Sequence, residues 1–332
     1  MAASVTTCTA WVMLLLLCLV PVLGSEDDNE IDENNDRPII GILSQELPEK
    51  RRPEWKKYKS FISASYVKFI ESAGGRVVPI WINKTRPYYE NLMNKINGVL
   101  FPGGSTDFNA QFGFADAGAI IYDIAKKLND KGNYFPLWGT CQGFELLAYL
   151  GANHTNPLTD CKSFNVDLAL EFLPVYKKSK LFGSAPSDVL ELLSSKPVTT
   201  NFHRFCLTQE NVTRFMGDIN WRLISLNNDS DGLTYVSSME SRTYPTYGVQ
   251  FHPEKNIFEW SPIQKTAHSF DSIRTSQYFA NFFVNEARKN YNSFSSEDDE
   301  DDALIYNFNP VYSGKKIQKK YGFNEQVYLF EW

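Results

Sequence analysis

Short apolar runs alternate with amphipathic stretches along the first half of the chain. The apolar runs have the length and the β-branched content of buried strands, and they cover 37–45, 76–81, 97–104 and 134–140. The amphipathic stretches have a helical period, and they cover 60–75, 88–96, 115–132 and 142–151. Strand and helix thus alternate four times, which predicts a doubly wound, mostly parallel α/β sheet flanked by helices in a flavodoxin-like three-layer sandwich.

Such a sheet places its functional site beyond the carboxyl ends of its strands. Two glycine-rich turns, at 102–104 and 139–143, fall on this edge.

The second half of the chain is less regular. A short helix is predicted at 185–195 and a long amphipathic helix at 272–290. "GLTYVSSMES" and "TYPTYGVQFHPE" predict a hairpin or two neighbouring strands, and "ALIYNFNPVYS" and "EQVYLFEW" predict late strands. There is no internal repeat and no domain linker before the acidic loop at about 295–303, so residues 37–332 are expected to form a single domain rather than two.

The amino-terminal residues predict export. Residues 1–24 carry no charged side chain and hold an apolar run that is too short to span a bilayer comfortably. We interpret 1–24 as a signal peptide cleaved after Gly24, with an uncleaved anchor as the alternative, and expect no membrane attachment after cleavage. Four Asn-x-Ser/Thr sequons, at Asn83, Asn153, Asn211 and Asn228, favour a glycosylated lumenal or secreted protein.

Charge is distributed unevenly. The leader at 25–36 holds seven acids, and the run at 297–302, within a predicted acidic loop at about 295–303, holds six. Both are expected to be solvated and disordered. Of 39 acidic residues these runs contain 13, which leaves 26 against 33 Lys and Arg in the rest. A basic body suits an anionic ligand, although surface lysines that maintain solubility explain it equally well. No nucleic-acid partner is predicted.

After removal of the signal peptide the chain keeps three cysteines, Cys141, Cys161 and Cys206. An odd number of cysteines on an oxidising route leaves at least one thiol free or paired between chains. Cys161 and Cys206 could pair, but the sequence leaves this open. A free thiol maintained in such a compartment is a candidate for chemistry.

Cys141 lies in the most informative motif, Gly139-Thr140-Cys141-Gln142-Gly143, between a predicted strand and a predicted helix. This is the thiol counterpart of a nucleophile elbow, in which flanking glycines avoid clashes in a sharp turn. A thiol at a helix N-terminus is expected to have a lowered pKa and to label faster than Cys161 or Cys206. The backbone N–H of Gln142 would face a developing oxyanion. The alternative is an ordinary tight turn that contains a buried cysteine.

A thiol nucleophile needs a base, and the chain has four histidines: His154, His203, His252 and His268. His154 lies within a sequon and is expected to be exposed. His252 ends an apolar strand in "YGVQFHPE", where it can reach the edge that holds Cys141. Glu254 lies two residues on and could fix the imidazole tautomer. The alternative for His252 is a core histidine with satisfied hydrogen bonds, and the alternative for Glu254 is a solvated turn residue.

The strand–"GTCQG"–helix with a distant "FHPE" resembles class I glutamine amidotransferases, whose triad is Cys-His-Glu. Within that superfamily the chain resembles the γ-glutamyl hydrolase, or folylpolyglutamate hydrolase, family. The motifs that carry this are "IIGILSQE", "ASYVKFIESAGGRVVPI", "NGVLFPGGS", "LWGTCQGFE", "NFHRFCLT" and "YGVQFHPEKNIFEW".

The resemblance implies hydrolysis of folyl- and antifolyl-poly-γ-glutamates through a thioester on Cys141, with His252 and Glu254 completing the triad. It implies an oxyanion hole from the N–H groups of Gly104 and Gln142. His203 and Glu145 match motif positions that could orient substrate. The resemblance further implies no metal and no organic cofactor, a homodimer, and a location in the lysosomal lumen or outside the cell.

Two rival functions remain open at this point. One is a glutaminase-type amidohydrolase of the same fold, against which the secretory leader and the missing synthase module count. The other is a catalytically inactive folate-polyglutamate-binding protein that uses the same groove.

Overall fold

The computed structural model describes residues 1, 34–47, 55–217, 220–314 and 324–331. The predicted signal peptide and the first nine residues of the acidic leader lie outside these residues, Met1 excepted. Asn34–Trp332 forms one compact unit. The last residues of the leader belong to it, because Asn35 donates its backbone N–H to the carbonyl of Arg288 at 2.9 Å.

The described residues form fourteen strands and nine α-helices, besides short 3₁₀ and π-helical turns. The strands are β1 Ile39–Leu43, β2 Gln45–Glu46, β3 Ser60–Ser63, β4 Arg76–Ile80, β5 Gly98–Phe101, β6 Leu137–Thr140, β7 Leu158–Leu168, β8 Glu171–Phe172, β9 Thr199–Leu207, β10 Trp221–Asn228, β11 Thr234–Ser241, β12 Thr246–Val249, β13 Val311–Tyr312 and β14 Gln326–Phe330. The helices are α1 Ala64–Glu71, α2 Arg86–Met93, α3 Phe114–Asp130, α4 Gln142–Gly151, α5 Ser187–Ser195, α6 Gln209–Asn211, α7 Lys255–Phe258, α8 Phe270–Ala287 and α9 Glu297–Ala303.

The central sheet has eight strands in the order β4-β1-β5-β6-β12-β11-β10-β8. The first five are parallel and the last three add antiparallel pairs. A four-stranded antiparallel sheet, β13-β14-β3-β2, and a two-stranded ribbon, β7-β9, complete the fold. The predicted α/β class is confirmed. None of the helices in the described residues is long and apolar enough to cross a membrane.

The two faces of the sheet carry separate cores, as the period of two in a strand requires. In β1, Ile39 and Leu43 pack on the face covered by α3 and α4, whereas Ile40 and Ile42 pack on the face covered by α1 and α8. All four side chains are buried. Helices on both faces explain why the strands read as continuous apolar runs rather than alternating ones.

Several predicted elements need correction. The stretch 60–75 is not one helix, because Ser60–Ser63 pairs with β14 before α1 begins. The acidic run at 297–302 is helical rather than disordered. Ser296 caps α9 by accepting a hydrogen bond from the N–H of Asp299 at 3.1 Å, and acids in the first turn favour a helix N-terminus. Glu300 also pairs with Arg76. The predicted late strand "ALIYNFNPVYS" is largely a 3₁₀ turn followed by β13.

The sequence pattern does not predict the ribbon of β7 and β9. Its strands pair antiparallel and are joined by a disulfide between Cys161 and Cys206, whose Cα atoms lie 5.8 Å apart. The disulfide settles the pairing that the sequence left open. Cys141 is the free cysteine of the described residues, so the expected comparison of labelling rates with Cys161 and Cys206 does not apply.

Candidate active site

Three neighbouring parallel strands of the central sheet end at the same edge. β5 leads into Pro102-Gly103-Gly104, β6 into Cys141, and β12 into Gln250-Phe251-His252. The backbone N–H of Cys141 donates to the carbonyl of Val249 at 2.9 Å, which fixes the turn after β6 against the end of β12. The topology therefore brings together residues that are more than 100 positions apart in the chain.

Cys141 occupies a sharp turn between β6 and α4. Its φ of +50° and ψ of −107° lie outside the regions that side-chain-bearing residues ordinarily adopt. A Cβ at Gly139 would lie 2.5 Å from the carbonyl oxygen of Gly143, and a Cβ at Gly143 would overlap the carbonyl of Phe101. The glycines are needed for the reason the motif predicts: the backbone passes too close for a side chain.

His252 faces the same small space as Cys141. A methyl group added at Gly103 would lie 2.6 Å from Cε1 of His252 and 3.1 Å from Cβ of Cys141. Nδ1 of His252 lies 2.7 Å from Oε1 of Glu254, and both side chains are buried. Since Nδ1 is occupied by the carboxylate, Nε2 is the nitrogen left for proton transfer with the thiol.

Burial dominates the electrostatics of these groups. It raises the pKa of the Cys141 thiol well above its ordinary value, and the carboxylates of Glu145 and Glu254 add to this. The backbone N–H of Gln142 lowers the pKa of Cys141, but by less. The expectation of a lowered thiol pKa is therefore wrong, because one helix N-terminus does not offset the desolvation of a side chain that is 3% exposed.

The histidine is also kept neutral. Burial lowers the pKa of His252 below 6.5, and Glu254 opposes this shift without cancelling it. Burial raises the pKa of Glu254, but His252 and Lys255 outweigh burial and hold that pKa below its ordinary value. At neutral pH the resting site thus contains a neutral thiol, a neutral imidazole and a carboxylate. Such a set can transfer a proton while the sulfur attacks, without a preformed thiolate.

Tyr66 is a member of the site that the sequence did not single out. Its hydroxyl lies 3.3 Å from Nδ1 of His252 and accepts the backbone N–H of Gly103 at 2.8 Å. Burial, with Glu254 and Cys141 contributing, raises the pKa of Tyr66 well above 10. The hydroxyl therefore stays protonated and ties the glycine turn to the His–Glu pair. No motif distinguishes Tyr66 from the other buried residues of α1.

The side chain of Gln142 makes hydrogen bonds that the sequence did not indicate. Its Oε1 accepts from the N–H of Thr106 at 3.0 Å and from Nε2 of Gln45 at 3.2 Å. Its Nε2 donates to the carbonyl of Thr106 at 2.7 Å. These bonds fasten the segment after Gly104 to the start of α4. The amide of Gln45 in turn covers Gly104, where a Cβ would lie 2.5 Å from Oε1 of Gln45.

Glu145 lies one turn into α4 and is buried close to the thiol. Its Oε1 accepts from Nε2 of Gln250 at 3.0 Å, and burial raises the pKa of Glu145 to about 7. A carboxyl group with this pKa changes charge near neutrality. The charge of Glu145 therefore acts on Cys141 above neutral pH and fades below it.

Both ring nitrogens of His203 face oxygen atoms of the β7–β9 ribbon, and the neutral ring, with one N–H, can donate to one of them. Nε2 lies 3.1 Å from Oδ1 of Asn201, and Nδ1 lies 3.1 Å from the carbonyl of Phe205. Burial lowers the pKa of His203 to about 3, so the ring is neutral at physiological pH. Nδ1 also lies 3.5 Å from the sulfurs of Cys161 and Cys206, but these sulfurs are joined as a disulfide and do not supply thiolate ligands.

A cysteine on a glycine elbow beside a buried His–Glu pair, at the edge of a doubly wound sheet, is the arrangement of a cysteine hydrolase. The Peptidase C26 family model matches residues 38–254. Human γ-glutamyl hydrolase is 39% identical over 98% of this chain and 98% of its own length. γ-Glutamyl hydrolase B of Dictyostelium discoideum is 36% identical over 90% of this chain and 85% of its own.

The chain belongs to the Peptidase C26 family, and the family predicted from its motifs is confirmed. Among solved structures, a glutamine amido transferase from Methylobacillus flagellatus is similar over 79% of this chain and 98% of its own, at 10% identity and a TM-score of 0.40. At this identity and TM-score the similarity supports no conclusion about function.

Proposed function

We propose that this protein hydrolyses γ-glutamyl bonds of folyl- and antifolyl-poly-γ-glutamates through a thioester on Cys141. The observation that carries the proposal is the elbow cysteine beside His252, whose Nδ1 is held by Glu254 at 2.7 Å. The family supports the bond type, since the curated relatives are named γ-glutamyl hydrolases. We assign the whole of 37–332 to one catalytic domain, in keeping with the compact unit Asn34–Trp332.

The proposed reaction is acyl transfer in two stages. As the sulfur of Cys141 attacks the γ-carbonyl carbon, Nε2 of His252 takes the thiol proton. The N–H groups of Gln142 and Gly104 stabilise the oxyanion. The tetrahedral intermediate then breaks its C–N bond, and His252 gives the proton to the leaving amine. Water attacks the thioester with His252 again as the base, which releases the shortened folate and restores the thiol.

The test is incubation of the purified protein with pteroylpenta-γ-glutamate and chromatography of the products. We expect folates with shorter tails. Release of ammonia from free glutamine, with the pentaglutamate left intact, would favour the glutaminase alternative. Tight binding of the pentaglutamate without cleavage would favour the inactive binding protein.

The pH dependence of kcat/KM follows from the state of His252, which must be neutral to accept the thiol proton. Because burial lowers the pKa of His252 below 6.5, we expect the acid limb of the profile below pH 6.5. Glu254 raises the pKa of His252, so Glu254→Gln should move this limb to lower pH. It should also reduce kcat by about a hundredfold or more through the wrong imidazole tautomer.

The measurement is kcat/KM from pH 3.5 to pH 8 for the wild type and Glu254→Gln, with Glu259→Gln as a matched carboxylate control outside the triad. The wild-type and control limbs should coincide. An acid limb at or above pH 6.5 in the wild type, or a shift to higher pH in Glu254→Gln, would contradict the assignment.

We further propose passage through the secretory route to the lysosomal lumen or the exterior, without membrane attachment once residues 1–24 are removed. Asn83, Asn153 and Asn228 are exposed, whereas Asn211 is half-buried and its Nδ2 donates to the carbonyl of Pro157 at 2.7 Å. Glycan mapping of the secreted protein should find sugar at the three exposed sequons and little at Asn211. Unmodified asparagine at all four would contradict secretion by this route.

The sequence resemblance also supports a homodimer, which we propose on that basis. Light scattering of the deglycosylated protein should give twice the mass of the mature chain.

A further inference from the structure

Lys255 is a buried cation next to the His–Glu pair. It follows Glu254 directly, begins α7, and is 6% exposed. Lysine is rarely buried unless its ammonium group is paired, because desolvation of an unpaired charge is costly. The contacts of Lys255 therefore decide whether it is a structural residue or part of a binding site.

Those contacts leave the ammonium group of Lys255 available to bind an anionic ligand. Among the ion pairs of the described residues, none places a carboxylate within 4.0 Å of Nζ of Lys255. Nζ of Lys255 instead lies over the ring of Phe202, 5.3 Å from its centroid. The two nearby carboxylates each have one oxygen bound elsewhere: Oε1 of Glu254 to His252, and Oε2 of Glu259 to the N–H of Glu325 at 2.5 Å. The charge of Lys255 also acts on Glu259, where it opposes the rise in pKa that burial causes.

The charge of Lys255 nevertheless reaches the reacting groups. It acts to lower the pKa of Cys141, of His252 and of Glu254. The ammonium group thus lies within electrostatic range of the thiol and of its base. A buried cation in that position, with an aromatic face beneath it, suits an anionic group of the substrate.

The position of Phe202 indicates which side of the scissile bond this anion would occupy. The Phe202 ring lies below Nζ of Lys255 and also packs edge-on against the ring of His252, with centroids 6.3 Å apart. Lys255 is therefore on the imidazole side of the site. In the proposed reaction His252 gives its proton to the leaving amine, and in a γ-linked glutamate that nitrogen is bonded to the carbon that carries the α-carboxylate.

We propose that Lys255 binds the α-carboxylate of the leaving glutamate and so selects substrates that carry a negative charge at that position. The inference rests on the proposed function. It assigns Lys255 to substrate recognition, with no part in proton transfer. A charge-assisted hydrogen bond of this kind predicts a preference of about tenfold to a hundredfold.

The experiment compares two substrates. One is pteroyl-γ-glutamyl-glutamate, and the other is the same compound with an α-carboxamide on the leaving glutamate, which keeps the shape and removes the charge. We expect the wild type to favour the carboxylate substrate about tenfold to a hundredfold in kcat/KM, chiefly through KM. In Lys255→Met the preference should fall to near unity, whatever the absolute rates become once the charge beside Cys141 and His252 is removed.

Two further variants separate recognition from folding. Lys255→Arg keeps the charge and should keep most of the preference. Lys162→Met makes the same change at a lysine that is 69% exposed on the ribbon and paired with Asp231, and it should leave the preference unchanged. Melting temperatures of all variants accompany the kinetics, and the wild-type comparison of the two substrates tests the proposal even where Lys255→Met does not fold.

The failures are distinguishable. Equal cleavage of both substrates by the wild type, or a preference that survives in folded Lys255→Met, would overturn the role of Lys255 and leave the proposed function intact. If the wild type cleaves neither substrate, the proposed function fails and the role of Lys255 fails with it.

Discussion

Replacement of Cys141 by alanine is expected to lower kcat for pteroylpenta-γ-glutamate by at least about 10⁴-fold. The reason is that the described residues offer no other free thiol for the thioester, since Cys161 and Cys206 are joined as a disulfide. Chromatography of the products at several enzyme concentrations measures the residual rate.

The same variant should fold. Alanine removes one buried sulfur atom and leaves the flanking glycines in place, so the melting temperature should change by only a few degrees. Substrate binding, measured by titration, should persist. A folded Cys141→Ala that cleaves at more than a few per cent of the wild-type rate would contradict the nucleophile assignment.

Gly143→Ala is expected to have a large effect on stability. A Cβ at this position would overlap the carbonyl of Phe101, which belongs to the backbone of β5 and has little freedom to move. We expect a loss of at least about 3 kcal/mol in the free energy of unfolding, since the strand or the helix must shift. Urea unfolding followed by circular dichroism measures it.

Gly132→Ala is the matched control. Gly132 has a φ of +83°, and a Cβ there would meet no atom within 4 Å. Its substitution should cost only about 1 to 2 kcal/mol, from backbone conformation alone. Equal losses in the two variants would mean that the close approach of α4 to β5 is not what Gly143 provides.

Much of this architecture could be predicted because it follows from local patterns. Apolar runs and helical periods located β1, β4, β5 and β6, and α4 begins and ends where its pattern indicated. The glycines around Cys141 predicted the sharp turn. The position of His252 after an apolar strand predicted its approach to the thiol, because parallel strands end at one edge.

Other features depend on tertiary contacts that local patterns do not encode. Ser60–Ser63 is a strand because β14, more than 260 residues later, pairs with it. The side chains of Tyr66 and Gln142 join the site through bonds to distant segments. The acidic run at 297–302 is helical because Ser296 caps it and Arg76 pairs with Glu300.

The ionisation of the thiol also depends on the assembled structure. The helix N-terminus near Cys141 is visible in the sequence, and it acts in the expected direction. The burial of Cys141 cannot be predicted from the sequence. It raises the pKa of the thiol by more than the helix N-terminus lowers it. The consequence is mechanistic: His252 must remove the proton during attack, since the thiolate is not formed beforehand.

Mass spectrometry of the acyl-enzyme tests the central claim most directly. The wild type is mixed with pteroylpenta-γ-glutamate, quenched in acid within the first turnover, and digested. We predict a pteroyl-γ-glutamyl mass increment on the peptide that contains Cys141, which disappears when the reaction runs to completion and never forms in Cys141→Ala. Turnover without any increment on Cys141, or with the acyl group on another residue, would contradict the proposed thioester mechanism.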